Sequence, residues 1–336
     1  MMAPTLTLLE GDASQMLRRL PDASIHCCVT SPPYFKLRRY GNAAAELGGE
    51  RSVDEYVANL VDVFIEVRRI LHPSGVLFLN LGDSYGPGKQ LLGVPWRVAF
   101  ALQDDGWLLR SEVIWHKTSC RPESVTDRPA RAHETVFLFA KGPRYFYDAE
   151  AVREPASGAA GASAGATRVG RSVWTFPATK YPGAHCAVMP TKLAELAVLA
   201  GSSAHGCCPR CGAPYTRLVE LGDQLDQDYL RYCGADQTGG TKSRARKDYA
   251  AAKSQDASAM KARILARMCE RKTVGWAATC DCDAGPPTPA VVLDPFCGAG
   301  TTGLVALEQG RSFVGIELYR DNVDETRSRL ARLTGA

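Results

Sequence analysis

The chain has 336 residues, 45% apolar and 23% charged, with a formal net charge of +4 and twelve cysteines. That length and apolar share suffice for a full α/β core plus an inserted segment, while +4 is too small to identify a nucleic-acid partner unless the charge is clustered. No stretch is apolar for long enough to cross a bilayer and residues 1–10 lack a secretory pattern, so a cytoplasmic protein with no membrane partner is expected, its paired cysteines serving as thiols or metal ligands.

In chain order, residues 5–9 read as a strand, 13–20 as a helix, and 25–29 as a second strand running into the rigid loop Thr30-Ser31-Pro32-Pro33-Tyr34. Residues 56–71 carry a helical stripe of Tyr56, Leu60, Val63, Phe64, Val67 and Leu71, with Arg68 and Arg69 complementing the C-terminal end. Pro73-Ser74-Gly75 stops that helix. A buried strand over 76–81, a helix over 94–103 and strands over 107–115 and 134–140 follow. This alternation predicts a mostly parallel sheet with helices on both faces.

From residue 143 the rhythm breaks. Residues 156–167 are almost all Ala, Gly and Ser, which predicts a flexible loop, and 193–199 restore a short apolar helix after Pro190. Residues 207–282 read as an insertion with cysteine pairs at both ends. Between the pairs lie Lys242, Arg244, Arg246, Lys247, Lys261, Arg263, Arg267, Arg271 and Lys272, which suit either a DNA backbone or a solvated helix face. Gly285-Pro286-Pro287-Thr288-Pro289 is a stiff connector to a last α/β unit, with strands over 291–293 and 312–316 and helices over 302–309 and 321–330.

Cys208-Pro209-Arg210-Cys211 has the spacing of a zinc knuckle, and Cys280 with Cys282 supplies a second pair, with Cys207 and Cys233 as possible substitutes. Four thiolates make a closed structural site that stabilises a module lacking a large core; reduced thiols that simply pack are the alternative. Cys27, Cys28 and Cys297 read as small buried apolar residues.

In Asp294-Pro295-Phe296-Cys297-Gly298-Ala299-Gly300-Thr301-Thr302, an apolar strand meets a glycine turn and then a helix. The glycines allow close backbone approach to a ligand, the pattern by which a nucleotide-like cofactor site opens, and Glu317 at the end of the next strand suits ribose hydroxyls. This string and Thr30 to Tyr34 together resemble the cofactor and catalytic motifs of bacterial amino-methylating DNA methyltransferases, in the subgroup where the catalytic motif comes first. The resemblance implies a Rossmann-like, permuted S-adenosylmethionine-dependent fold with a small inserted cysteine-rich subdomain. It also implies that Asp12 takes the adenine amino group of the cofactor, that Phe296 packs on it, and that residues 185–199 close over its methionine portion. Thr30, Asp294, Pro295, Cys297, Gly298, Gly300, Thr301 and Thr302 complete the implied cofactor site.

By the same resemblance Ser31, Pro32, Pro33 and Tyr34 are catalytic. An exocyclic amine is a poor nucleophile because its lone pair is delocalised into the ring; Ser31 and the Pro32 carbonyl would accept its two N–H groups while Tyr34 stacks on the base. The target base must leave double-stranded DNA to reach them. Serine at position 31 implies N4 of cytosine, with N6 of adenine as the alternative and an inactive zinc-ribbon nucleic-acid-binding protein as a reading of another class. His133 is a further base-pocket candidate. The expected organisation is a catalytic half over 1–142, a target-recognition region over 143–184, a cofactor-closing segment over 185–206, the basic insertion over 207–284 and a cofactor half over 285–336. A cognate restriction nuclease is a possible partner, and the chain is expected to act as a monomer or homodimer.

Overall fold

The computed structural model describes residues 2–38, 41, 43, 45–120, 122–156, 167–178, 189–221 and 271–334. Residues 157–166 of the predicted flexible loop, closing residues 185–188, Cys233 and basic residues 242–267 lie outside the described residues. Two compact units are present, the first comprising Met1–Ala151, Arg171–Thr216 and Ala278–Ala336, the second Val152–Gly170 and Arg217–Ala277.

In the first unit β1 (Leu6–Glu10) runs into α1 (Ala13–Leu17), capped by the Asp12 side chain, which accepts from the Gln15 N–H at 3.0 Å. β2 (Ile25–Thr30) leads through the proline loop to α2 (Val53–Ile70), which starts where Ser52 caps it and Asp54 and Glu55 occupy the first turn. Its buried residues, Tyr56, Leu60, Val63, Phe64, Val67 and Ile70, form the expected stripe. β3 (Leu71–Leu81), α3 (Val94–Asp104), β4 (Leu108–Lys117) and β5 (His133–Ala140) follow. After β6 (Glu154–Pro155) and β7 (Thr167–Arg168) of the second unit come β8 (Val173–Phe176) and α4 (Thr191–Gly201). β9 (Thr216–Leu221) and β10 (Arg271–Ala277) pair as a two-stranded sheet, and the first unit closes with β11 (Val291–Asp294), α5 (Thr301–Glu308), β12 (Ser312–Glu317) and α6 (Arg320–Thr334).

The main sheet has the order β1-β12-β11-β2-β3-β5-β4-β8 and is mostly parallel. The exception is β5, antiparallel to both β3 and β4, because a loop rather than a crossover helix joins β4 to β5 and the chain simply reverses. β8, within a region read from sequence only as recognition loops, adds an edge strand parallel to β4. Trp115 fixes it by donating from Nε1 to the Phe176 carbonyl at 3.1 Å and stacking on the Phe176 ring.

Both faces of the central strands are apolar, so alternate residues serve different layers. Cys28, Leu77, Leu79, Leu293 and Ile316 pack with α1, α2 and α3. On the other face Gly201 of α4 sits against Cys27, Val76 and Phe78, and Gly303 of α5 against Phe313; a methyl at either glycine would approach these side chains within 3.0 Å, so the helices seat closely only because both are glycine. Among the described residues no helix is long and apolar enough to cross a membrane.

The crossover from β2 to β3 uses α2 on one face, and that from β11 to β12 uses α5 on the other. β2 and β11 are neighbours from which the chain proceeds in opposite directions, so a crevice opens at their C-terminal ends. The cysteines require a correction: residues 207–216 and 278–283 belong to the first unit and fold with the sheet, not as a separate subdomain.

Candidate active site

A cleft of about 300 Å³ opens at this crevice, where β1, β2, β3, β11 and β12 end. Of the catalytic and cofactor residues expected there, those of the two motif strings together with Asp12 and Glu317, all line it except Thr30 and Gly300. Thr30 is fully buried behind the wall, and Gly300 turns the chain into α5 with a φ of 72°.

Asp294, at the end of β11, is 3% exposed and holds the crevice together. Its Oδ1 accepts from Thr30 Oγ1 at 2.7 Å and the Phe296 N–H at 3.1 Å, and its Oδ2 from Thr302 Oγ1 at 2.7 Å, joining β2, β11 and α5. Burial pushes its carboxyl up to about 6, against the opposing effect of these hydrogen bonds. Glu317 accepts from the Gly298 N–H through Oε2 at 3.0 Å, and through Oε1 from the Tyr319 N–H at 3.1 Å and Asn322 at 3.0 Å. Of its roughly four acceptor positions one is left over, so Glu317 first orders the glycine turn and has room for a single further hydroxyl. Thr326 secures the same turn through the Gly298 carbonyl at 2.7 Å, and Cys297 directs its thiol inward beside Gly315. Burial raises the thiols of Cys27, Cys28 and Cys297 far above the usual range, as suits apolar packing residues.

Opposite lies the proline loop. Tyr56 donates to the Pro33 carbonyl at 2.8 Å, and Gly82 leaves space for the Tyr34 ring, since a methyl there would come within 2.5 Å of it. Tyr34 donates its hydroxyl hydrogen to Glu134 Oε2 at 2.8 Å, and Ser31 Oγ lies 3.0 Å from the Tyr34 hydroxyl. With the phenol hydrogen committed to Glu134, Ser31 donates to Tyr34; one Ser31 lone pair accepts from Asn80 Nδ2 at 3.4 Å, and the other remains for an incoming N–H donor. Burial, reinforced by the Glu134 carboxylate, raises the Tyr34 pKa well above its usual value and keeps the phenol protonated. Asn80 Nδ2 bridges Tyr34 and Glu134 at 2.8 Å each, and Lys117 pairs with Glu134 at 2.5 Å while lying over the Trp115 ring.

Sequence reasoning gave no role to Asn80, Lys117 or Glu134, all lining the cleft. A signal existed for Asn80, the one polar residue inside the apolar run 76–81. The candidate His133 points outward and is exposed, because residues alternate along β5 and it is Glu134 that faces the cleft. Of the segment expected to close over the cofactor, Met189 and Pro190 line the cleft.

The cysteines lie elsewhere. The sulfur atoms of Cys208, Cys211, Cys280 and Cys282 all lie within 4.8 Å of one another. Cys207 is excluded from the group: it is fully buried, its backbone pairs with Thr288, and burial pushes its thiol up to about 12.

A sequence model of the DNA methylase family matches residues 25–208 and 287–328, leaving out the stretch that holds three of the four clustered cysteines. The type II methyltransferase M.Cfr9I of Citrobacter freundii is 41% identical over 352 aligned positions, covering 96% of this chain and 87% of that protein. The type II methyltransferase M.SmaI of Serratia marcescens is 43% identical over 259, covering 66% and 87%. Among solved structures, the PvuII DNA methyltransferase (cytosine-N4-specific) superposes with a TM-score of 0.57 at 18% identity, over 99% of this chain and 94% of that one. A putative DNA modification methylase of Thermus thermophilus, complexed with S-adenosyl-L-methionine, gives 0.54 at 20% identity, over 98% and 96%. These two share the α/β methyltransferase fold, and the sequence matches establish that this chain belongs to the amino-methylating DNA methylase family.

Proposed function

We propose that the cleft binds S-adenosylmethionine and directs its methyl group to N4 of a cytosine extruded from double-stranded DNA. The observation that carries this reading is Ser31 at the mouth of β2, its hydrogen committed toward Tyr34, one lone pair toward Asn80 and the other free, beside the glycine turn of β11. The Gly298 turn, Phe296, Asp12 and Glu317 would hold the cofactor, which supplies a methyl group on a positively charged sulfur. The buried Asp294 carboxylate suits a neighbouring cation, since among the described residues no cationic group offsets its ionised form.

Ser31 accepts one amine N–H and draws the nitrogen toward a tetrahedral shape, making its lone pair available. As the nitrogen–methyl bond forms and the sulfur–methyl bond breaks, the amine loses a proton. That proton passes to Ser31 Oγ, the Ser31 hydrogen to Tyr34, and the Tyr34 hydrogen to Glu134, where Lys117 steadies the carboxylate beforehand. No covalent enzyme intermediate is required.

Tyr34 has its hydroxyl tied into this relay and its ring against Gly82, so it is both a wall for the base and a proton carrier. Cytosine is favoured over adenine by serine at position 31. Digesting methylated DNA to nucleosides and weighing them tests the choice: N4-methylcytosine supports it, N6-methyladenine alone replaces it with the adenine reading, and no methyl transfer to any DNA favours a binding module.

A nuclease cutting the same recognition sequence is the natural partner, in keeping with the type II names of the relatives. The four-sulfur cluster we read as a structural zinc site. Tetrahedral zinc with bonds of about 2.3 Å sets its sulfurs about 3.8 Å apart, which small side-chain adjustments achieve from the observed spread of up to 4.8 Å.

A further inference from the structure

Resting on that zinc reading, we infer that the four-cysteine centre is a metal clasp, seated on the N-terminal end of the central sheet by His26 and His72, that holds together the two points where the chain leaves and re-enters the first unit. Cys208 and Cys211 lie just before the exit after Thr216, and Cys280 and Cys282 just after the return at Ala278. One metal bound to all four therefore closes a long excursion of the chain at its base.

The seat is built from the sheet. His26, in β2, accepts the Val291 N–H at Nδ1 (2.9 Å), so its other nitrogen carries the hydrogen and donates to the Gly212 carbonyl at 3.1 Å. His72, in β3, accepts the Ser74 N–H at Nδ1 (3.1 Å) and by the same logic donates from Nε2 to the Cys211 carbonyl at 3.2 Å. Two stacked imidazoles, with ring centres 5.9 Å apart, thus grip consecutive carbonyls of the cysteine knuckle. Gly212, with a φ of 74°, leaves room for the His72 ring, to which a methyl would come within 3.1 Å. The return segment is tied to the same place: the backbones of Cys207 and Thr288 exchange hydrogen bonds of 2.8 and 3.0 Å, and Thr279 donates to the Pro214 carbonyl at 2.7 Å.

His26 also bonds the first residue of β11, whose last residue is Asp294. His26 stands five positions before Ser31, roughly 17 Å of extended chain, so the clasp stands at the opposite end of the strands from the cleft. A metal there steadies the strands that carry the site and takes no part in methyl transfer.

The test uses the full-length protein. Elemental analysis is expected to give one zinc per chain, and C280S/C282S to lose it. Stripping wild-type zinc with a chelator and a thiol reagent is expected to lower the melting temperature by on the order of 10 °C and to speed proteolysis within 207–216 and 278–290. H26A/H72A is expected to retain zinc yet show the same faster proteolysis, an outcome that separates the seat from the metal ligands. Zinc-free protein with four freely titrating thiols would overturn the inference, as would zinc-bound H26A/H72A with wild-type proteolysis. If C280S/C282S fails to fold, metal release from the wild type decides. Absence of zinc in a chain that methylates DNA sinks the clasp and leaves the proposed activity intact; zinc without methyl transfer does the reverse.

Discussion

Replacing Asp294 by Asn tests whether the centre of the crevice carries a buried charge that only a bound cation offsets. Burial raises the Asp294 pKa from 3.8 to about 6. An aspartate with a raised folded pKa destabilises the fold when ionised: the penalty is absent below the unfolded pKa, grows between about pH 4 and pH 6, and is fully present above. The difference of about two units corresponds to about 3 kcal/mol at pH 7 to 8. Asn mimics the protonated acid. Its oxygen can accept from Thr30 and Phe296, and Thr302, also 3.4 Å from the Val29 carbonyl, can turn to accept from the new amide. D294N without cofactor is therefore expected to be more stable than wild type at neutral pH, and its advantage to widen by about 1 kcal/mol between pH 5 and pH 7. Urea unfolding of both proteins at several pH values reads this directly. Calorimetry at pH 8 is expected to show S-adenosylmethionine binding weakened about tenfold or more, because the cationic sulfur loses its counter-charge. A stability difference that stays flat from pH 5 to 8, or a variant less stable at pH 8, would refute the reasoning by showing that the hydrogen bonds to the carboxylate outweigh its desolvation.

S31A is expected to lower methyl incorporation into DNA by about 100-fold or more, with cofactor affinity unchanged; a rate within threefold of wild type would remove Ser31 from the chemistry. E134Q keeps the shape of its side chain but withdraws the negative charge from Tyr34 and Lys117, so single-turnover methylation should fall about 10- to 100-fold with little change in melting temperature. G82A places a methyl 2.5 Å from the Tyr34 ring and should impair methyl transfer more than it lowers stability, as activity and unfolding measured side by side will show. G300A combines a left-handed φ of 72° with a contact of 2.6 Å to the Thr326 Cγ2, and should cost at least about 1 kcal/mol. Adding T326S removes the contacting methyl and should recover part of that loss, leaving the backbone strain.

The sequence by itself determined the elements and the two motif strings. Stripes such as Tyr56 to Val67 and runs such as Val76 to Leu79 report local periodicity, and periodicity belongs to the chain. The glycines and prolines of the strings were legible for the same reason: they constrain their own backbone. What tertiary structure decided is everything that depends on strand order. The antiparallel β5 brings Glu134 beside Tyr34, 100 residues away, and β4 delivers Lys117 to the same carboxylate. Asp294 reads as a motif residue, yet only the pairing of β2 with β11 turns it into the buried link between Thr30 and Thr302. His26 and His72 carried no signal, because a carbonyl partner nearly 190 residues from one and 140 from the other has no trace in local pattern. Periodicity records which face of an element is buried; which groups meet across that face is set by the order in which strands pair.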